Sequence, residues 1–85
     1  MARLLPWESS GGKPCFVEGD GSGPVSRLAD EVESVQLDMA RELIGYAEGM
    51  LADRKVTSVQ LRYVAARLLE ALRDVHRIAR SRAHR

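Results

Sequence analysis

The sequence predicts an all-α fold, an antiparallel hairpin of two long helices behind an extended Gly/Pro-rich N-terminal arm. Residues 1–25 contain all three prolines and five of the seven glycines, which rules out a long helix there. In residues 26–53 and again in 58–81, apolar side chains recur at intervals of three and four, as on one face of a helix. The connection between these segments is short, which favours antiparallel packing of the two helices.

Within the arm, residues 13–18 have the composition of a strand, and Asp20-Gly21 after them is typical of a turn. We therefore expect at most one short strand or hairpin in residues 1–25. Three apolar side chains are expected to anchor the arm: Trp7, Phe16 and Val17.

Both helices have recognisable start signals. Ser26 is a favourable N-cap for the first helix, and acidic residues follow it near the N-terminus, the positive end of the helix dipole. Thr57 and Gln60 have the spacing of a capping box at the start of the second helix. These signals predict helix 1 over about 26–53 and helix 2 over about 58–81.

Each helix carries two adjacent apolar stripes. The stripes expected to form the seam between the helices are Leu28, Val32, Val35, Met39, Leu43, Tyr46 and Met50 on helix 1, and Leu61, Ala65, Leu68, Leu72, Val75 and Ala79 on helix 2. The second stripes are Leu37, Ala40, Ile44, Ala47 and Leu51 on helix 1, and Val64, Ala71 and Ile78 on helix 2.

A hairpin cannot bury two adjacent faces of each helix by itself. The second stripes therefore predict a homodimer, in which two hairpins with coiled-coil-like seams pair into a four-helix bundle. The residues expected to face the partner are Leu37, Ile44, Leu51, Val64 and Ile78. The alternative is a monomer in which the arm covers the second stripe.

The charges are segregated, although the whole chain has a net charge of only +1. Residues 26–53 carry seven acids and two arginines, whereas residues 58–85 carry seven arginines and two acids. In an antiparallel hairpin, acids 30, 31 and 33 would meet arginines 77, 80 and 82, so the charges would orient the two helices.

The alternative is that the arginines of helix 2 contact the phosphates of a nucleic acid. The residues concerned are Arg73, Arg77, Arg80, Arg82 and Arg85. No aromatic residues interleave with them along the sequence, and no known DNA-binding motif accompanies them.

We find no catalytic, cofactor-binding or metal-binding pattern, and expect no enzyme. Cys15 is expected to be a small buried apolar side chain. A weaker hypothesis is a small enzyme or metal carrier that uses Cys15 and His76, the only plausible soft ligands. A single cysteine and the lack of a long apolar run favour a cytoplasmic protein without a membrane span.

Four segments resemble a group of small actinobacterial proteins of the streptomycete type. These segments are Pro6-Trp7, Gly12-Lys13-Pro14-Cys15-Phe16, Ser26-Arg27-Leu28-Ala29-Asp30 and Leu51-Ala52-Asp53-Arg54-Lys55. The resemblance implies a bacterial, cytoplasmic setting and carries over no activity, ligand or site.

The sequence as a whole predicts a non-enzymatic helical interaction module, a homodimeric regulatory or adaptor protein. The alternative is a protein that binds nucleic acid.

Overall fold

The computed structural model of the chain describes residues 2–83 and has an α+β fold. Its elements are the strands β1 (Ala2–Glu8) and β2 (Pro14–Glu18), followed by the helices α1 (Pro24–Ala52) and α2 (Ser58–Ala83). The two strands form an antiparallel sheet. The prediction of an all-α fold is therefore wrong, because the N-terminal arm folds into a β-hairpin.

An irregular strand explains why the sequence indicates this hairpin only weakly, as at most one short strand or hairpin in residues 1–25. Arg3 lies opposite Val17, but the pairing shifts between Leu4 and Glu8. Pro6 lies within this irregular part and has no N–H to donate to the ladder, so β1 lacks a regular strand pattern. Only β2 lies in the segment whose composition is typical of a strand.

Helix α1 begins two residues before the expected N-cap, at Pro24. Its N-cap is Gly23, which makes no side-chain hydrogen bond, and proline occupies the first turn. Proline suits this position because its missing N–H would have no partner within the helix. Ser26 is consequently a buried residue inside the first turn rather than the cap.

The capping box of α2 is confirmed. The Gln60 N–H donates to Thr57 Oγ1 at 3.1 Å, and the Thr57 N–H donates to Gln60 Oε1 at 2.8 Å. This reciprocal pair satisfies backbone N–H groups at the start of α2 that have no partner within the helix.

On α2 the contact follows the expected second stripe, because all three of its residues are buried. On α1 the buried residues, Ser26, Ala29 and Glu33, belong to neither expected stripe. Two side chains expected to face a partner, Val64 and Ile78, are buried inside the chain, whereas Leu72, expected in the seam, is 66% exposed. The buried apolar side chains are Leu5, Ala29, Val64, Ala71 and Ile78. On α1 the small side chain of Ala29 allows close approach, whereas larger apolar side chains from both of its stripes, such as Leu28 and Ile44, stay exposed.

The interior of the hairpin is narrow and partly polar. The polar side chains of Ser81 and Glu33 are buried there. Neither Ser81 Oγ nor Gln36 Oε1 has a hydrogen-bond partner within the described part of the chain. Buried polar groups without partners destabilise a fold. The seam between α1 and α2 therefore contributes little stability for its length.

The molecule is elongated, with principal extents of 51 × 25 × 20 Å. Its radius of gyration is 15.9 Å, against about 12 Å for a compact chain of this length. Its accessible surface is 6457 Å², whereas a compact monomer of this mass exposes roughly 5,000 Å². The single chain thus leaves uncovered much surface that a typical domain buries.

The capping box provides a test of this helix boundary. We expect Thr57→Ala to lower the free energy of unfolding by about 1 kcal/mol, because the Gln60 N–H loses its acceptor, Thr57 Oγ1. Ser34→Ala in the exposed middle of α1 is the matched control and should be neutral or slightly stabilising. Urea titration followed by circular dichroism measures both. Equal stability of the two variants would show that the box is not formed.

Candidate functional site

An arginine from β1 attaches the β-hairpin to α1. The Arg3 guanidinium donates from Nη1 to the Ser26 carbonyl at 2.8 Å, and from Nη2 to Asp30 Oδ1 at 2.6 Å and Glu33 Oε2 at 3.2 Å. Arg3 and Glu33 are both buried, whereas the Asp30 side chain is more than half exposed. A planar guanidinium can serve these three acceptors simultaneously because its N–H groups form a rigid fork.

Burial opposes the charge on Arg3, but its two carboxylate partners outweigh this effect. Burial by itself lowers the pKa of the Arg3 guanidinium, while the hydrogen bonds to Asp30 and Glu33 raise it, so that the pKa lies above its usual value. Arg3 therefore remains charged, and its ion pairs hold the β-hairpin against the open end of the helix pair.

The expected pairing of α1 acids with α2 arginines is replaced by this contact. Asp30 and Glu33 bind Arg3, not Arg80 or Arg82. Arg77 donates to the Pro6 carbonyl and, at 3.4 Å, to Asp74 of its own helix. The charges at this end consequently fasten β1 to each helix, a role that the sequence did not indicate.

One long side of the helix pair is a continuous apolar surface, which we call the leucine face. It consists of Leu37, Ile44, Leu51, Leu61, Leu68, Leu72 and Val75. Four of these side chains are exposed and the other three are half-buried. At helical spacing, the residues between these side chains on α1 are Ala40 and Ala47 together with the charged Arg41 and Glu48.

The opposite side of the helix pair has a different chemistry. It contains a groove of about 490 Å³ whose apolar lining includes Met39, Tyr46 and Tyr63. Charged side chains also line this groove: Glu42, Arg67, Glu70 and Asp74. Arg67 and Glu70 form an ion pair, and the hydrogen bond from Arg67 lowers the pKa of the Glu70 carboxyl.

The five residues expected at a partner face do not share one surface. Ile44 and Leu51 are exposed and Leu37 is half-buried, all on the leucine face. Val64 and Ile78 are buried within the helix pair, so they are not accessible to a partner. The β-hairpin docks at the open end of the helices and leaves Ile44 and Leu51 uncovered, contrary to the alternative in which the arm covers this stripe.

The arginines expected to contact nucleic acid also divide into groups. Arg77 is half-buried and occupied by Pro6 and Asp74. Arg73, Arg80 and Arg82 are exposed, and within residues 2–83 no ion pair involves them. Arg85 lies outside the described residues. The accessible positive charge therefore lies around the last turns of α2.

The structure does not bring the potential metal ligands together. Cys15 is half-buried in β2, and His76 is exposed on α2. Among residues 2–83, no group of three or more His, Cys, Asp or Glu side chains is placed to hold a metal ion. In the same part of the chain, neither helix combines the length and hydrophobicity needed to cross a membrane.

The anchors of the β-hairpin differ from those expected. Trp7 and Val17 are half-buried and Phe16 is 62% exposed, whereas Arg3, Leu5 and Pro6 are buried. Trp7 and Phe16 instead line an open cleft between the β-hairpin and the arginine-rich side of α2.

Neither family models, nor curated proteins, nor solved structures provide a match to this chain.

The role of Arg3 can be tested with a matched pair of variants. Arg3→Met should lower the free energy of unfolding by about 2 kcal/mol, because it removes the cation between two carboxylates, one of them buried. Arg41→Met removes the exposed Arg41–Asp38 pair and should cost less than about 0.5 kcal/mol. Urea titration measures both.

The emission of Trp7, the sole tryptophan, gives a second readout. Release of the β-hairpin in Arg3→Met should expose Trp7 further and shift its emission to longer wavelength. Arg41→Met should leave the emission unchanged. Identical stability and identical spectra for the two variants would contradict the proposed attachment.

Proposed function

We propose that this chain is a non-enzymatic interaction module, a small regulatory or adaptor protein, that pairs with a second copy through its leucine face. The observation that carries the proposal is the distribution of apolar side chains. Within the helix pair the buried apolar side chains are Ala29, Val64, Ala71 and Ile78, while Ile44, Leu51 and Leu72 remain exposed. Contiguous exposed apolar surfaces of this kind mark interaction sites in other proteins.

The uncovered area supports a partner of considerable size. The accessible surface of 6457 Å² exceeds that of a compact monomer of this mass by roughly 1,400 Å². A stable protein–protein interface of standard size removes about 800 Å² from each partner. Pairing through the leucine face would therefore bring the burial of this chain closer to that of an ordinary domain.

The charges favour a second copy over an unrelated protein. Helix α1 carries six acids and two arginines, while α2 carries six arginines and two acids. After a two-fold rotation, the acidic helix of one copy can lie across the basic helix of the other. A surface with this division of charge is complementary to itself.

The chemistry also favours the leucine face over the groove on the opposite side. Association through the groove would remove Glu42, Arg67, Glu70 and Asp74 from water. Burial of charged groups costs free energy that even well-paired ions only partly recover. The groove has four charged side chains in its lining, whereas the leucine face has two beside it on α1, Arg41 and Glu48, so its burial carries a smaller cost.

Nucleic-acid binding is the second candidate, and a specific observation supports it. Because Arg3 pairs with Asp30 and Glu33, two of the three acids expected opposite the α2 arginines are already occupied. Arg73, Arg80 and Arg82 therefore remain exposed to solvent.

A cytoplasmic location is compatible with either candidate function and is part of the same proposal.

Substitutions of equal exposure on the two sides of the hairpin test the self-association. Ile44 on the leucine face and Val35 on the opposite side are 56% and 57% exposed. We expect the unchanged protein to sediment as a dimer at about 50 µM, and Ile44→Asp to be a monomer because a buried carboxylate opposes association. Val35→Asp should remain a dimer.

Two results would contradict the proposal. A monomeric unchanged protein would exclude stable self-association at this concentration. Dissociation by Val35→Asp with an intact Ile44→Asp dimer would assign the interface to the groove side instead of the leucine face.

A further inference from the structure

The fold brings aromatic and cationic side chains together in one cleft. This cleft lies between the β-hairpin and α2 and has a volume of about 290 Å³. Trp7 and Phe16 line it from the hairpin, and Arg73, His76 and Arg80 line it from α2. The two groups are more than fifty residues apart in the sequence, so their proximity depends entirely on the docking of the β-hairpin.

The roles of the arginines at this cleft are divided. Arg77 holds the hairpin in place, since it donates to the Pro6 carbonyl and to Asp74. Arg73 and Arg80 are exposed and form no ion pair within residues 2–83. The hydrogen bond from Arg67 is the main cause of the lowered pKa of the Glu70 carboxyl, and the charge of Arg73 adds to this effect. Two guanidinium groups are therefore available to an anion.

We infer that this cleft binds single-stranded nucleic acid, with a base stacked on Trp7 or Phe16 and the adjacent phosphates on Arg73 and Arg80. Proteins that bind single strands combine aromatic rings for the faces of bases with cations for the backbone. In a duplex the base faces are covered by neighbouring bases, so the aromatic rings of the cleft would have nothing to stack on.

The remaining charged group of the cleft refines the choice of ligand. Glu8 lines the cleft and is an acceptor for an exocyclic amino group, such as N4 of cytosine. Its negative charge also disfavours a purely anionic ligand such as inorganic phosphate or an acidic peptide. A single strand whose bases carry exocyclic amino groups therefore matches the aromatic, cationic and carboxylate side chains of the cleft, and cytosine, the usual partner of a carboxylate, is the first probe. This inference gives the nucleic-acid candidate a site and does not depend on self-association.

The emission of Trp7 reports directly on the cleft, because the chain has no other tryptophan. We expect a ten-residue oligodeoxycytidine at low salt to quench Trp7 emission, and rising salt to weaken its binding. Inorganic phosphate alone should not quench. Cytidine monophosphate distinguishes a single strand from a free nucleotide as the ligand of the cleft. If it binds more weakly than the oligonucleotide, the result supports a strand. Equal binding would overturn the inference of a strand and indicate a free nucleotide.

Three variants separate the cleft from general electrostatic attraction. Arg73→Ala/Arg80→Ala should weaken oligonucleotide binding about 10-fold or more, and Phe16→Ala about 5-fold or more if Phe16 carries the stacked base. Arg54→Ala/Arg62→Ala removes the same charge from exposed positions near the start of α2, far from the cleft, and should change affinity less than about 3-fold. All of these side chains are exposed, and circular dichroism verifies the fold of each variant.

Two outcomes would overturn the inference. Binding measured by anisotropy of a labelled oligonucleotide, without quenching of Trp7 and with equal losses in both double-arginine variants, would indicate nonspecific attraction to α2 and exclude the cleft. No binding at low salt would exclude nucleic-acid binding altogether. Neither outcome affects the dimer, which sedimentation tests separately.

Discussion

Two helices alone can bury only one line of contact between them, and this constraint determines most of the molecule. In this chain, the contact line follows one apolar stripe of α2, that of Val64, Ala71 and Ile78, and Ala29 and Ala71 permit close approach. Dispersion and burial by such small side chains stabilise a fold only modestly. The leucines on either side of the line then remain outside, which produces both the elongated shape and the exposed leucine face.

The β-hairpin compensates at one end of the helices, and it does so with charges more than with apolar contacts. Arg3 bridges to α1 through Ser26, Asp30 and Glu33, while Arg77 reaches from α2 to Pro6. Because the α1 acids are engaged in this way, the last turns of α2 keep accessible arginines. The same contacts place Trp7 and Phe16 beside those arginines, so the attachment of the hairpin creates the cleft.

The periodicity of the sequence was sufficient to predict the two helices, and Thr57 with Gln60 located the start of α2. The periodicity of the apolar residues could not determine which stripe faces the neighbouring helix, because two adjacent stripes both have the spacing of a helical face. Val64 and Ile78 were therefore assigned to a partner although they lie inside. The Arg3 contacts and the aromatic cleft were unpredictable for another reason, since they join residues that are far apart along the chain.

The dependence of thermal stability on protein concentration tests the central claim most directly. If the leucine face is buried by a second copy, the folded state is stabilised by association, and the thermal midpoint should rise between about 2 µM and about 200 µM protein. Circular dichroism at both concentrations measures the midpoint without any substitution. A midpoint that does not change with concentration, together with a monomeric mass at the higher concentration, would contradict the claim.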